Sequence, residues 1–436
     1  MKAAVLCVGT ELLFGQTVNT NATYISHQLQ LLGFDVLYHY VVGDNPNRLE
    51  RLLDICFEDC DLVITTGGLG PTEDDLTKET IAKYFDDELV YDEESLFRLK
   101  KYFLDTNRRM TENNLKQALL PSKSTVFPNS YGTAPGFLLR KEGKYIISLP
   151  GPPKEMTKMF DKEVFPYLSN KQNGALFYKL IRTYGIGESA LETALLPLIH
   201  GQTDPTIATY AKEGECSIRI ASKRETLEES KAAVDMMIDI VYDIIGDYIY
   251  SENDEEYAKV LVDKLISKNL TLTAVESCTG GMFASIITDI SGASKCFKRG
   301  YVTYSNSSKI DDIGVDATLI DKHTAVSEEV ARDMALKGLE KANADICVSV
   351  TGIAGPSAWH NFVPGTIFVG IAFNNMKLKT NLSNINIQDF DKKYLESDGI
   401  ISFVKNLDTK RHDRIKNRRY AVLAMIDMVY KTIKDA

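Results

Sequence analysis

The chain has 436 residues, 44% of them apolar and 25% charged, ordinary proportions for a globular protein. That length exceeds what one hydrophobic core serves and predicts roughly two to four domains; the composition excludes a mostly disordered, collagen-like or coiled-coil chain. A net charge of −10 leaves no basic surplus for holding a nucleic-acid backbone, although small anions are bound by local donors whatever the net charge.

Seven cysteines are scattered without a CxxC pair, which argues against a disulfide framework or a structural zinc cluster and fits a reducing, cytoplasmic setting. The N-terminus reaches Gly9 and Glu11 too soon for a signal peptide, and no run of about 18 uncharged apolar residues predicts a membrane span. In chain order, Lys2 to Val8 reads as a strand, Asn21 to Leu32 as a helix ending at Gly33, and Phe34 to Val42 as a strand. Pro46 to Cys56 reads as a helix and Asp61 to Thr66 as a further strand. Such alternation predicts parallel strands joined by crossover helices. A second strand–helix pattern runs from Arg182 to about Asp247. Ser251 to Glu256 is an acidic linker or helix start, after which Tyr257 to Lys268 is amphipathic and Leu270 to Val275 a strand. Asn374 to Asn386 reads as irregular. Three α/β units follow from this pattern: 1–170, 171–252 and 253–436.

In the first unit, strand 61–66 runs straight into Gly67-Gly-Leu-Gly-Pro-Thr-Glu-Asp-Asp75. Gly67, Gly68 and Gly70 would let backbone N–H groups approach a phosphate beyond the strand's carboxyl end. Asp74 and Asp75, with Asp44 and Glu11 after two other strands, could hold a hard divalent cation. The plainer alternative is a turn followed by an acid-rich helix start. Asn129 to Gly136 and Leu149 to Glu155 are two Gly/Pro-dense loops that bracket a strand and suggest the rim of a pocket.

In the third unit, the strand 270–275 ends in Glu276-Ser-Cys-Thr-Gly-Gly281 ahead of a helical segment, 282–290. A hydroxyl on such a turn sits at a helix N-terminus, where backbone N–H groups stabilise an oxyanion or bind phosphate; an ordinary N-cap explains the same pattern. Gly300 to Lys309 adds a strand ending in Tyr304, a cap at Ser305 or Asn306, and Lys309 about one turn into the helix. A desolvated lysine can act as base for a serine without histidine, whereas a surface tyrosine and a solvated lysine would need no such role. Cys278 is either a small buried residue or a thiolate nucleophile, ranked behind Ser277. Cys347 to Pro356, with Gly352 and Gly355, is a third strand feeding a glycine turn.

The segments 9–12, 67–77, 129–136 and 149–156, with Glu-Ser-Cys-Thr-Gly-Gly, Tyr-Ser-Asn-x-x-Lys, His323 to Glu329 and Thr351 to Pro356, together resemble the competence/damage-inducible protein A (CinA) family. The resemblance implies an α/β multidomain fold: a molybdopterin-binding-like three-layer α/β domain, a small KH-like α+β domain, and a C-terminal α/β nicotinamide mononucleotide (NMN) deamidase domain. It implies Ser277, Tyr304 and Lys309 as catalytic residues. Substrate contacts would come from Thr279, Gly280 and Gly281, from Gly352 and Gly355, and from Arg414 and Arg418. The deamidase step would need no metal. It also implies ADP-ribose as a ligand of the first unit at Gly67, Gly68 and Gly70, with Mg, Mn or Co held by Asp44 and Asp75; Asp74 joins them on the reading of the residues alone. Thr183 to Ser189 is not a clean GxxG with basic flanks, so the middle unit reads as a spacer or dimerisation module rather than an RNA clamp. A homodimer with no nucleic-acid or membrane partner is expected. The chain departs from the family at Ser357 to Val363, where the sole tryptophan and His360 replace glycines and a lysine. The alternative reading is a non-catalytic nucleotide- or pterin-binding regulator in competence or DNA-damage responses.

Overall fold

The computed structural model describes residues 1–169, 175–359, 362–378, 392–395 and 399–434, so His360 and residues 379–391 lie outside it. The chain forms two compact units, Met1–Leu176 and Phe177–Ala436.

In the first unit a six-stranded sheet runs in the order Asp35–Val42, Lys2–Val8, Leu62–Thr66, Lys144–Leu149, Gly136–Lys141, Thr125–Phe127. The first four strands are parallel, as the alternation of strands and helices predicts. The last two pair antiparallel to their neighbours, Gly136–Lys141 being joined to Lys144–Leu149 by the tight turn at Glu142 and Gly143, which no crossover pattern announces. Along Lys2–Val8, Ala3, Val5 and Cys7 enter one apolar cluster with Ile25, Leu29 and Met156; Ala4, Leu6 and Val8 enter another with Leu49, Leu53 and Ile81. Alternate side chains of one strand therefore feed cores on both faces, which makes three layers. All four parallel strands deliver their carboxyl ends to one edge.

The second unit contains two sheets. The smaller is ordered Thr206–Lys212, Glu215–Arg224, Ala175–Tyr184, Ile249–Ser251, with helices Glu188–Ile199 and Leu227–Ile245 closing its core. The larger is ordered Phe297–Val302, Leu272–Glu276, Ile346–Gly352, Thr366–Asn374, Ile400–Asp408, Lys392–Leu395. Its first three strands are parallel and the rest antiparallel. Leu272 and Ala274 pack into the cluster containing helices Tyr257–Ser267 and Arg414–Ile433, while Val275 and Cys347 face helix Glu328–Ala342. Leu272–Glu276 lies between the strands that follow it in sequence, so the chain changes direction across this strand. In an open α/β sheet, that is where ligands bind. Asn374, expected to be irregular, ends a strand, and Asn375–Leu378 is a short helix.

Candidate functional site

At the crossover edge of the larger sheet, three strand ends are laced together. Ser277 N–H donates to Val350 O at 3.1 Å, and Thr303 N–H donates to Glu276 O at 2.7 Å. Ser277 is thereby fixed on the turn that leaves the central strand, and it is almost fully buried. Ser305 caps the helix Asn306–Ile313, its side chain accepting from Ser308 N–H, which sets the phase that turns Lys309 inward.

Lys309 is only 1% exposed. Its Nζ lies 3.0 Å from Ser277 Oγ and donates to Thr303 O at 2.8 Å. Burial lowers its pKa from the ordinary 10.5 to about 8, so a substantial fraction of the amine is neutral near physiological pH. In that form it donates to Thr303 O and presents its lone pair to the serine hydroxyl, the arrangement a general base requires. Of the two readings the sequence leaves open for this lysine, the solvated one does not hold. Cys278 is also buried; burial pushes its thiol up to about 12, the opposite of an activated thiolate.

Tyr304 stands apart from this pair. It is 61% exposed at the mouth of a cavity of about 430 Å³ lined by Ser277, Lys309, Gly352, Gly355, Trp359 and Arg414. Arg414 Nη2 donates to the Tyr304 hydroxyl at 2.9 Å and Nη1 to Gly355 O at 2.8 Å. The Arg414 guanidinium has no carboxylate partner among the described residues, leaving its charge available to an anion.

The remaining expected contacts fall elsewhere. Glu276, 1% exposed, accepts from Gly281, Phe283 and Ala284 N–H at 3.1, 3.0 and 2.9 Å. Gly280 N–H donates to Ser277 O. The expectation that the Gly280 and Gly281 amides face substrate is therefore corrected: a carboxylate of the chain itself already occupies this helix N-terminus. Arg418 Nη2 donates to Thr279 O at 2.6 Å, and neither residue lines the cavity. Arg418 acts on the turn, not on the cavity. Sequence reasoning assigned no role to Glu276, although it sits inside the quoted turn, nor to Asn417, whose Nδ2 holds Ala354 O and Arg411 O.

In the first unit, Gly67, Gly68, Gly70, Asp44, Asp74 and Asp75 line one cavity of about 600 Å³ beyond the parallel strand ends. Gly67 has φ +105°, and a Cβ there would fall 2.0 Å from Val8 O, so only glycine permits this approach. One oxygen of Asp44 accepts from Thr10 N–H and hydroxyl, and one of Asp75 from Thr72 N–H and hydroxyl. Each acid keeps a second oxygen, and Asp74 is exposed. Among the described residues no group of three or more His, Cys, Asp or Glu can hold a metal by itself. A hard cation placed here would have to take most of its ligands from phosphate and water. Lys116 Nζ straps the glycine loop by donating to Thr72 O and Asp75 O, a role the sequence does not reveal.

Residues 4–170 match the probable molybdopterin binding domain, 178–251 the damage-inducible protein CinA KH domain, and 254–398 the CinA C-terminal domain. A competence-damage inducible protein of Acetivibrio thermocellus is 44% identical over 409 residues, covering 91% of this chain and 99% of that one. One from Clostridium botulinum (Loch Maree) is 42% identical over 412 residues, covering 94% and 98%. Among solved structures, the protein CinA of Thermoplasma acidophilum is 39% identical with a TM-score of 0.35, covering 37% of this chain and 94% of that one. A CinA superfamily protein of Escherichia coli is 23% identical with a TM-score of 0.33, covering 40% and 87%.

Proposed function

This chain is a member of the CinA family, and from the geometry of its C-terminal cavity we propose that it hydrolyses the carboxamide of NMN to nicotinic acid mononucleotide and ammonia. The observation that carries this reading is the desolvated Lys309 amine 3.0 Å from Ser277 Oγ. Ser277 Oγ attacks the carboxamide carbon as Lys309 takes its proton. The lysine returns that proton to the departing nitrogen, which leaves as ammonia. Water then cleaves the acyl-serine ester by the same route, restoring the hydroxyl and giving the acid. Arg414, held by Gly355 O at the mouth, faces the nucleotide phosphate, and Tyr304 orients the substrate beside it. Purified protein incubated with NMN should release ammonia, and Ser277→Ala and Lys309→Ala should each abolish release. Ammonia formation that persists in both variants overturns the mechanism. Saturable binding without product favours the regulator reading.

The first unit supports a second reading, carried by the four parallel strand ends and the opened glycine loop: a cation-dependent ADP-ribose pyrophosphatase site. A divalent cation bound there would neutralise the diphosphate and lower the pKa of a water. The chain supplies Asp44, Asp74 and Asp75 to hold it, and the backbone of Gly67 to Gly70 to receive phosphate oxygens. Product analysis after incubation with ADP-ribose and Mg, Mn or Co tests this directly; absence of AMP with every cation removes the hydrolytic reading.

A further inference from the structure

The cavity of the first unit has a second wall that diphosphate binding leaves unused. Gln117 closes the short helical segment Glu112–Ala118 and is 3% exposed. Its Nε2 donates to Thr133 Oγ1 at 2.9 Å, which fixes the carboxamide plane. Its Oε1 is buried with no hydrogen-bond partner, although the residue lines the cavity. An orphaned buried acceptor is destabilising, and native chains keep few of them without a reason.

The residue before Thr133 makes room for a second acceptor. A Cβ on Gly132 would fall 1.8 Å from Glu155 Oε2, so the missing side chain is space that the Glu155 carboxylate fills. Asn129 Nδ2 donates to Glu155 Oε2 at 2.8 Å and to Ala134 O at 2.9 Å, pinning the carboxylate to the same loop. Glu155 Oε1 has no partner among the described residues, and Glu155 lines the cavity. Partial burial raises the carboxyl's pKa, opposed by the hydrogen bond from Asn129, so the group carries a desolvation cost that no cation among the described residues offsets. Gln117 is thus tied to Thr133 while the Glu155 carboxylate lies against Gly132 and is held by Asn129, so both acceptors border one loop and each keeps an oxygen without a donor.

We propose that Gln117 and Glu155 form the sugar end of this cavity, accepting hydrogen bonds from neighbouring hydroxyls of a diphosphate-bearing ligand. The inference rests on the diphosphate reading of the glycine loop. An acidic side chain accepting from a ribose hydroxyl is a recurrent solution at the ends of parallel sheets. Buried acceptors also reject a ligand that lacks the hydroxyls, because its binding would leave them unpaired. The wall therefore selects a sugar-containing diphosphate over diphosphate alone.

Calorimetric titration of the full chain with Mg²⁺, using ADP-ribose and inorganic pyrophosphate as separate ligands, tests the assignment. Gln117→Met and Glu155→Met should weaken ADP-ribose binding about 10- to 100-fold while leaving pyrophosphate within about twofold. Glu155→Gln, which retains an acceptor, should keep most of the affinity. Equal losses for both ligands would make the two residues mere anchors of the loop and overturn the proposal, as would no loss for ADP-ribose. Wild-type protein that binds pyrophosphate with no selective loss in the variants sinks this inference alone. Wild-type protein that binds neither ligand sinks the diphosphate reading and takes this inference with it.

Discussion

Arg414 holds the Tyr304 hydroxyl at 2.9 Å with one arm of its guanidinium and Gly355 O at 2.8 Å with the other. The phenol is thereby tied to the loop after the third strand, at the solvent edge of the cavity, while Lys309 and Ser277 meet in its buried depth. The geometry favours orientation over proton relay for Tyr304. Tyr304→Phe should raise KM for NMN about 10-fold, the range of one hydrogen bond to a charged partner, with kcat within a few-fold. A thousandfold loss in kcat at unchanged KM would place the phenol in the proton path.

The depressed pKa of Lys309 sets the sign of the pH dependence. The base must be the neutral amine, so kcat/KM should rise with pH and reach half its plateau near pH 8, where the buried amine loses its proton. The same shift affects stability. Between about pH 8 and the unfolded value of 10.5 the unfolded chain holds the extra proton, so this group's contribution is present above 10.5 and is lost as pH falls through 8. A deamidation rate that falls from pH 7 to 9 contradicts the assignment.

Cys278 follows the candidate nucleophile directly, yet its thiol is buried and pushed up to about 12. Cys278→Ala should retain ammonia release within a few-fold, and brief treatment of the native protein with iodoacetamide should leave activity intact. Loss of ammonia release in Cys278→Ala, with Ser277→Ala still active, would transfer the nucleophilic role to the thiol.

Glu276 satisfies three backbone N–H groups at the start of the helix Met282–Thr288. Glu276→Ala leaves one buried and two part-buried donors unpaired and should destabilise the second unit by about 2–3 kcal/mol, seen as a lowered thermal midpoint in calorimetry. An unchanged midpoint would mean that water or another group replaces the carboxylate.

The single tryptophan, Trp359, lines the same cavity as Ser277 and is 40% exposed. NMN should therefore change its fluorescence saturably, with the same midpoint as KM, and Arg414→Met should move that midpoint to higher NMN. A flat fluorescence titration in an active protein would place the substrate away from this loop.

What the residues alone determine here is local. Apolar periodicity punctuated by glycine marked strand 2–8, strand 61–66 and the turn 276–281 within a residue or two, because strand period and turn chemistry are properties of neighbours in sequence. The antiparallel pairing of Gly136–Lys141 and of Thr366–Asn374 was not legible, since strand partners depend on sheet order rather than on any short pattern. Packing decided the charge states and the partners. Lys309 and Ser277 are 32 residues apart, and Arg418 and Thr279 are 139 apart. Whether a lysine is a solvated cation or a buried amine, and whether an arginine meets a cavity or a turn, depends on what the folded chain places around it. Desolvation and hydrogen-bond competition act through space, so the sequence named the reactive side chains and only the tertiary structure assigned their roles.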